Sequence, residues 1–419
     1  MSYAELAPTN GQLKRLARVV ADPLSAVAFV RETLGMPEAY DDPKEFLLEV
    51  EEQGLSSLLY KDIRRSGSEH LFSGEILGSL KVSYMKAAMR SAVLFSELEV
   101  VLDAFQKAAI PAILLKGAHL AGAIYEDSAL RSMEDVDLLV KAGDFARAQE
   151  VLVSLGYVLD GECAWNELDR NRTGHTYVKS APPRVHIEIH NNPHHGYRTG
   201  DYSRFDLQGI WERASPVRIG GANALGMSPE DLLLFLSWHY RFHYFSKLIW
   251  LYDIGVILQR HGNIIDWPGL MASAHWARLD TTLYYCLQLA SMMLKAPLCI
   301  DGSVKLQPPY VARKLVPYVL RMGGSQVLSA PEHRLLRVAL QHLMVHRNLD
   351  LLRLAGGLLF PSKVALGSRY VRNDSLRLKF VRFYYLIHPF SVLKNGLRGG
   401  LILFRQTKPT GVKPVGGRR

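Results

Sequence analysis

The chain has 419 residues, 48% of them hydrophobic and 21% charged, with a formal net charge of +10. That balance excludes a disordered chain and supports two or three domains with sizeable cores. The surplus of positive charge suits anionic partners such as nucleotides, nucleic acid or an anionic membrane surface.

The three cysteines, Cys163, Cys286 and Cys299, are far apart and include no CxxC pair. They form neither a disulfide framework nor a zinc motif, so a reducing cytoplasm is the expected setting. The N-terminus shows no secretory signal pattern. No apolar run reaches the roughly 18 to 20 residues needed to span a bilayer. A protein without a transmembrane segment is expected.

From about Gly11 to Lys107 apolar residues recur at three- and four-residue spacing, clearest over Phe46–Tyr60 and Val93–Phe105. This predicts a helical region over residues 1–107, broken at Gly54 and at Ser66-Gly67-Ser68. Ala112-Ile-Leu-Leu115 reads as a short buried strand begun after Pro111 and ended by Lys116-Gly117. A helix over Ala118–Tyr125, a second strand over Met133–Val140 and an amphipathic helix over Gly143–Leu155 follow. That alternation predicts a sheet domain over residues 108–221.

Gly156 to Gly174 reads as a polar loop. Two more strands, His175–Lys179 and Arg184–His190, are joined across Pro182-Pro183. In the second, His186, Glu188 and His190 share one face while Val185, Ile187 and Ile189 share the other. After Gly220-Gly221 the chain is expected to be helical over residues 222–400. Ser228-Pro-Glu-Asp231 marks a helix start, Leu232–Gln259 an aromatic-rich helical run, and Asp266-Trp-Pro another start. Leu279–Leu294 and Pro331–Val345 read as further helices. From Lys363 the stretch is basic, and residues 401–419 read as a basic, disordered tail.

Asp135 and Asp137 stand out because strand alternation puts both carboxylates on one side. Glu188 lies on a separate strand. Three carboxylates of this kind are the hard oxygen donors that Mg²⁺ or Mn²⁺ takes together with substrate phosphates. Taken alone, the acid pair is equally consistent with solvated side chains. Lys116 offers a point charge and Gly117 a close backbone approach to phosphate. A charged residue and a turn glycine ending a strand is the simpler account of that pair. His239 and His243 have the i, i+4 spacing of metal ligands. No Glu follows the first, however, and an aromatic packing helix is favoured. The basic C-terminal stretch, interleaved with aromatics over Phe380–Leu386, carries no RNA-binding signature; a terminal helix with a solvated basic face is preferred.

The order Leu-Leu-Lys116-Gly117, helix, Arg131-Ser-Met-Glu-Asp135-Val-Asp137, then His186-Ile-Glu188-Ile-His190 resembles the nucleotidyltransferase superfamily with the DNA polymerase beta type of fold. Within it the chain looks most like poorly characterised bacterial proteins that carry Lys-Gly where most relatives have Gly-Ser. The resemblance takes in Leu232–His239, Trp250–Asp253 and Leu359–Ser362, and so spans about residues 45 to 390.

It implies an α/β (α+β) nucleotidyltransferase core with a mixed sheet, flanked by mostly helical N- and C-terminal regions. Asp135, Asp137 and Glu188 match the family's metal-holding carboxylates. Lys116 and Gly117 occupy the place of the triphosphate loop, and Arg131 is a candidate phosphate contact, with an exposed loop arginine an equal alternative. From their place on either side of Glu188, His186 or His190 is a candidate either to orient that carboxylate or to contact phosphate, and His190 is taken as the nucleotide contact. The implied activity is Mg²⁺- or Mn²⁺-dependent transfer of an NMP from an NTP, ATP first, to an acceptor hydroxyl on a protein, peptide or small molecule. One alternative is a nucleotide-binding or partner-docking protein without catalysis; a weaker one is nucleic-acid binding through the basic C-terminus.

Overall fold

The computed structural model of the chain describes residues 24–40, 42–160, 174–179, 184–194, 203–296 and 308–323, with a few isolated positions further on. The turn at Pro182-Pro183, most of the helix expected over Pro331–Val345 and nearly all of the basic stretch from Lys363 lie outside the described residues.

Helices α1 (Ala26–Thr33), α2 (Pro43–Glu52) and α3 (Ser56–Ser66) precede the 34-residue α4 (Gly74–Lys107). The breaks fall at glycines: Gly54 at φ 74° separates α2 from α3, and Gly67 at φ 66° ends α3 in the left-handed region open to glycine. Strand β1 (Ala112–Leu114) leads into the short α5 (Lys116–His119), which continues as one π turn over Leu120–Ile124. Then come β2 (Asp135–Val140), α6 (Phe145–Ser154), β3 (Val158–Leu159), β4 (Gly174–Lys179) and β5 (Val185–His190).

Beyond them are α7 (Leu207–Arg213), β6 (Ser215–Ile219) and β7 (Ala222–Gly226). The remaining helices are α8 (Pro229–Phe242), α9 (Leu248–His261), α10 (Trp267–Ala277), α11 (Asp280–Leu294) and α12 (Tyr310–Gly323). None of the described helices is long and apolar enough to cross a membrane.

The seven strands among the described residues form one mixed sheet in the order β3-β4-β5-β2-β1-β7-β6, the α+β class expected from the sequence. β2 pairs in parallel with β5 and antiparallel with β1, and β1 pairs in parallel with β7. One face carries Val136, Leu138 and Val140 of β2 and Val185, Ile187 and Ile189 of β5. They pack on Leu94, Leu98, Val101 and Phe105 of α4. On the other face Ile113, Leu115 and Leu139 join the core of α8, α9 and α11. The strand period of two therefore turns the polar residues of β2 and β5 toward the helices that follow the sheet.

Two expectations change. The chain does not turn helical straight after Gly220-Gly221. Those glycines instead form a two-residue hairpin between β6 and β7, with Ile219 opposite Ala222. Ala222-Asn-Ala-Leu-Gly226 has little strand propensity of its own, and its pairing with β1 overrides that. The run Leu232–Gln259 is also not continuous. Ser228 caps α8 by accepting from the Asp231 amide, 3.2 Å away. The chain then turns sharply at His243–Lys247 before α9 begins.

Two buried polar groups link sheet and helices. Arg131 Nε donates to both oxygens of Asp253 on α9, at 2.9 and 3.0 Å, and the Tyr125 hydroxyl adds a third bond at 2.8 Å. Because this pair is desolvated, removing one partner strands a buried charge. Asp253→Ala should cost about 3–5 kcal/mol of unfolding free energy in urea titrations. The double change Arg131→Met with Asp253→Leu should recover most of it.

His119 is 3% exposed beside Gly226, with its pKa pushed down to about 4 by burial and by His261. The unfolded chain therefore binds its proton more readily, near 6.5. The contribution is present at pH 7 and lost as pH falls through that window. From pH 7 to 4 the wild type should lose about 3 kcal/mol that His119→Leu does not lose.

Candidate active site

The parallel register of β2 and β5 sets Asp137 directly beside Glu188 and Asp135 beside His186. Neighbouring strands lie about 4.8 Å apart, so two carboxylates are held close on the same face. Ligating atoms of Asp137, Glu188 and His190 all fall within 4.8 Å of one another. Asp135, one strand period earlier, completes the acidic side of the cleft toward solvent.

Lys116 reaches this cluster from the end of β1. Its Nζ lies 2.8 Å from Asp137 Oδ1, and His190 Nε2 lies 3.1 Å from the same oxygen. An ionised carboxylate only accepts, so the imidazole donates here. His190 is fully buried behind Asp137 and is not among the residues lining the cleft. Its bond is to Asp137, which makes it a partner of that carboxylate. Gly174 on β4, paired with His190, leaves room for that ring, because a Cβ there would collide with its Nδ1.

Lys116 also has φ 43°, a left-handed conformation that costs a non-glycine residue about 1–2 kcal/mol. The strain places its amine on Asp137. Gly117 lines the cleft, and a Cβ there would lie 2.9 Å from Met133 Cγ. Arg131 is not an exposed loop residue. It is 8% exposed, bound to Asp253, and still contributes to the cleft wall.

Electrostatics follow from this crowding. Burial and the neighbouring Asp137 push Asp135 up to about 7, against the pull of Lys116. Burial would raise Asp137 too, but Lys116 and His190 outweigh it and hold the acid far below the usual carboxylate range. Glu188 is raised by burial and by Asp137, with His190 opposing. Burial works to lower the Lys116 pKa, and Asp137 and Glu188 more than offset it. The set fits a divalent cation: hard oxygens from Asp135, Asp137 and Glu188, with a buried imidazole fixing one of them.

The cleft has a volume of about 410 Å³, within the range of small-molecule sites. Among the described residues, four carboxylates (Glu134, Asp135, Asp137, Glu188) and three cations (Lys116, Arg131, Lys247) line it. A polyphosphate would therefore need added positive charge to enter.

The opposite wall comes from α8, α9 and the turn between them: His239, Phe242, His243, Lys247 and Trp250. Sequence reading assigned the two histidines to packing and gave Lys247 no role. Their one signal was the i, i+4 pair followed by Trp250. Tyr240, on the same helix, is fully buried in the core.

Residues 40–295 match the family model described as an uncharacterised nucleotidyltransferase, a span that contains every residue lining the cleft. No curated protein matches the chain. Among solved structures, the chain is similar to an antigenic nucleotidyltransferase-like protein from Paracoccidioides brasiliensis. The two share 17% identity over 50% of this chain and 95% of that one, with a TM-score of 0.30.

If His190 orients Asp137 for a cation, His190→Ala should lose about 10- to 100-fold in Mn²⁺ affinity, as outer-sphere partners of metal ligands do. Isothermal titration calorimetry reads this directly. Unchanged affinity would assign His190 to packing alone.

Proposed function

The chain belongs to the uncharacterised nucleotidyltransferase family, and we propose that it moves an NMP from an NTP to an acceptor hydroxyl with release of pyrophosphate. The observation that carries this reading is Asp137 beside Glu188 across the β2–β5 register, facing a cleft that also holds Lys116 and Arg131. The order of motifs further resembles the DNA polymerase beta type of superfamily, with Lys116-Gly117 standing where Gly-Ser is usual.

In this reading Asp135, Asp137 and Glu188 hold Mg²⁺ or Mn²⁺, which supplies positive charge against the phosphates. Lys116 sits within reach of both Asp137 and the cleft, so its ammonium exchanges the carboxylate for a phosphate oxygen when nucleotide binds. Arg131, fixed by Asp253, presents its guanidinium edge to the same group. Glu188 accepts the acceptor hydroxyl's proton as that oxygen attacks the α-phosphorus in line. The bond to the bridging oxygen breaks and pyrophosphate leaves. Positioning and charge neutralisation provide the catalysis.

ATP is the first nucleotide to test, and a cleft of this size suits a small-molecule or side-chain acceptor. The second reading, a nucleotide binder without turnover, draws on the ion pair by which Lys116 already neutralises Asp137. Pyrophosphate release separates the two. With Mg²⁺, each NTP and a cell extract as acceptor source, the wild type should release pyrophosphate. Asp137→Ala should be slower by roughly 100-fold or more, a loss typical of removing a charge-stabilising group. Equal rates in the two proteins would overturn the mechanism.

A further inference from the structure

The cleft wall opposite the carboxylates is aromatic and takes no part in the chemistry described above. The ring of His239 lies 4.5 Å from that of His243 and 4.7 Å from that of Trp250, centroid to centroid, and His243 lies 5.1 Å from Trp250. Trp238 and Tyr240 of the same helix are fully buried in the core, and Trp250 packs against it from the edge. His243 and Trp250 are instead only half-buried, and their open side is the cleft.

The turn that presents them is held in an uncommon shape. Tyr244 and Phe245 are consecutive non-glycine residues at φ 57° and 55°. Phe245 is buried, its amide bonds to the Tyr240 carbonyl, and Gln53 accepts from the amides of Leu248 and Ile249 just beyond. Strained backbone that its surroundings over-determine is characteristic of ligand-binding positions. It leaves Lys247 exposed at the cleft. Among the described residues no carboxylate pairs with that ammonium.

We propose that this wall is the nucleotide's base site: the nucleobase stacks on the open face of Trp250 beside His243, and Lys247 takes phosphate oxygens. The proposal rests on the nucleotidyl-transfer reading and deepens it. A planar aromatic plate suits any nucleobase, because each has a π face whatever its edge chemistry. A compact ammonium suits the polyphosphate attached to it. The division of the cleft fits as well, with the acids on one wall at the reacting end and the rings on the other. An acceptor aliphatic at its hydroxyl would gain little from such a plate.

Binding of MgATP and of magnesium tripolyphosphate to the full chain tests this by calorimetry, with GTP, CTP and UTP alongside and no acceptor present. Trp250→Ala should weaken MgATP by about 5- to 150-fold, the range of base–aromatic stacking, while changing tripolyphosphate less than twofold. Trp250→Phe should retain most of the affinity, which guards against a folding artefact, and Lys247→Ala should weaken both ligands. The proposal is overturned if Trp250→Ala binds MgATP like the wild type, as it would were this the acceptor's wall. It is equally overturned if Trp250→Ala weakens both ligands alike. A wild type that binds none of the four NTPs with Mg²⁺ would bring down the transfer reading itself, and this proposal with it.

Discussion

Two carboxylates forced into contact are the constraint on which the rest of the site depends. Main-chain pairing of β2 with β5 fixes Asp137 beside Glu188 whatever their side chains prefer. Like charges at such a separation raise each other's proton affinity unless something positive intervenes. Lys116 and His190 intervene for Asp137, and Asp135 and Glu188 remain raised. The cluster therefore has the donor set a divalent cation takes, with an amine standing in at one edge.

The surroundings maintain that arrangement at some energetic cost. Lys116 holds a left-handed backbone, and across the cleft Tyr244 and Phe245 do the same. Half of the non-glycine residues with positive φ among those described thus flank one cleft. The buried Arg131–Asp253 pair joins the strand side to α9, so the two walls are held together by charge as well as by apolar packing. A site split between sheet and helices needs such a link, because neither wall alone encloses a ligand.

The acidic wall was legible in the sequence because strand alternation is strictly local. Val136 between two aspartates, and Ile187 and Ile189 around Glu188, announce their faces without tertiary information. The opposite wall was not legible. His239 and His243 read as packing residues because an aromatic-rich helix looks the same whether it meets a core or a cleft. The turn at Tyr244-Phe245 has no glycine, asparagine or proline to signal it. Strand β7 was missed for a related reason: Ala222-Asn-Ala-Leu-Gly226 becomes a strand only because β1 offers it a partner. The burial of Arg131 likewise depends on a contact more than a hundred residues away in sequence, that with Asp253.

The central claim is that the acids of β2 and β5 hold a divalent cation and that Lys116 turns to the nucleotide's phosphates. A crystal structure with Mn²⁺ and a non-hydrolysable NTP analogue tests it most directly, because manganese can be located by its anomalous signal. The account predicts a manganese peak among Asp135, Asp137 and Glu188, with the phosphates against Lys116. A structure in which Lys116 still binds Asp137, and manganese and nucleotide lie elsewhere, would contradict it.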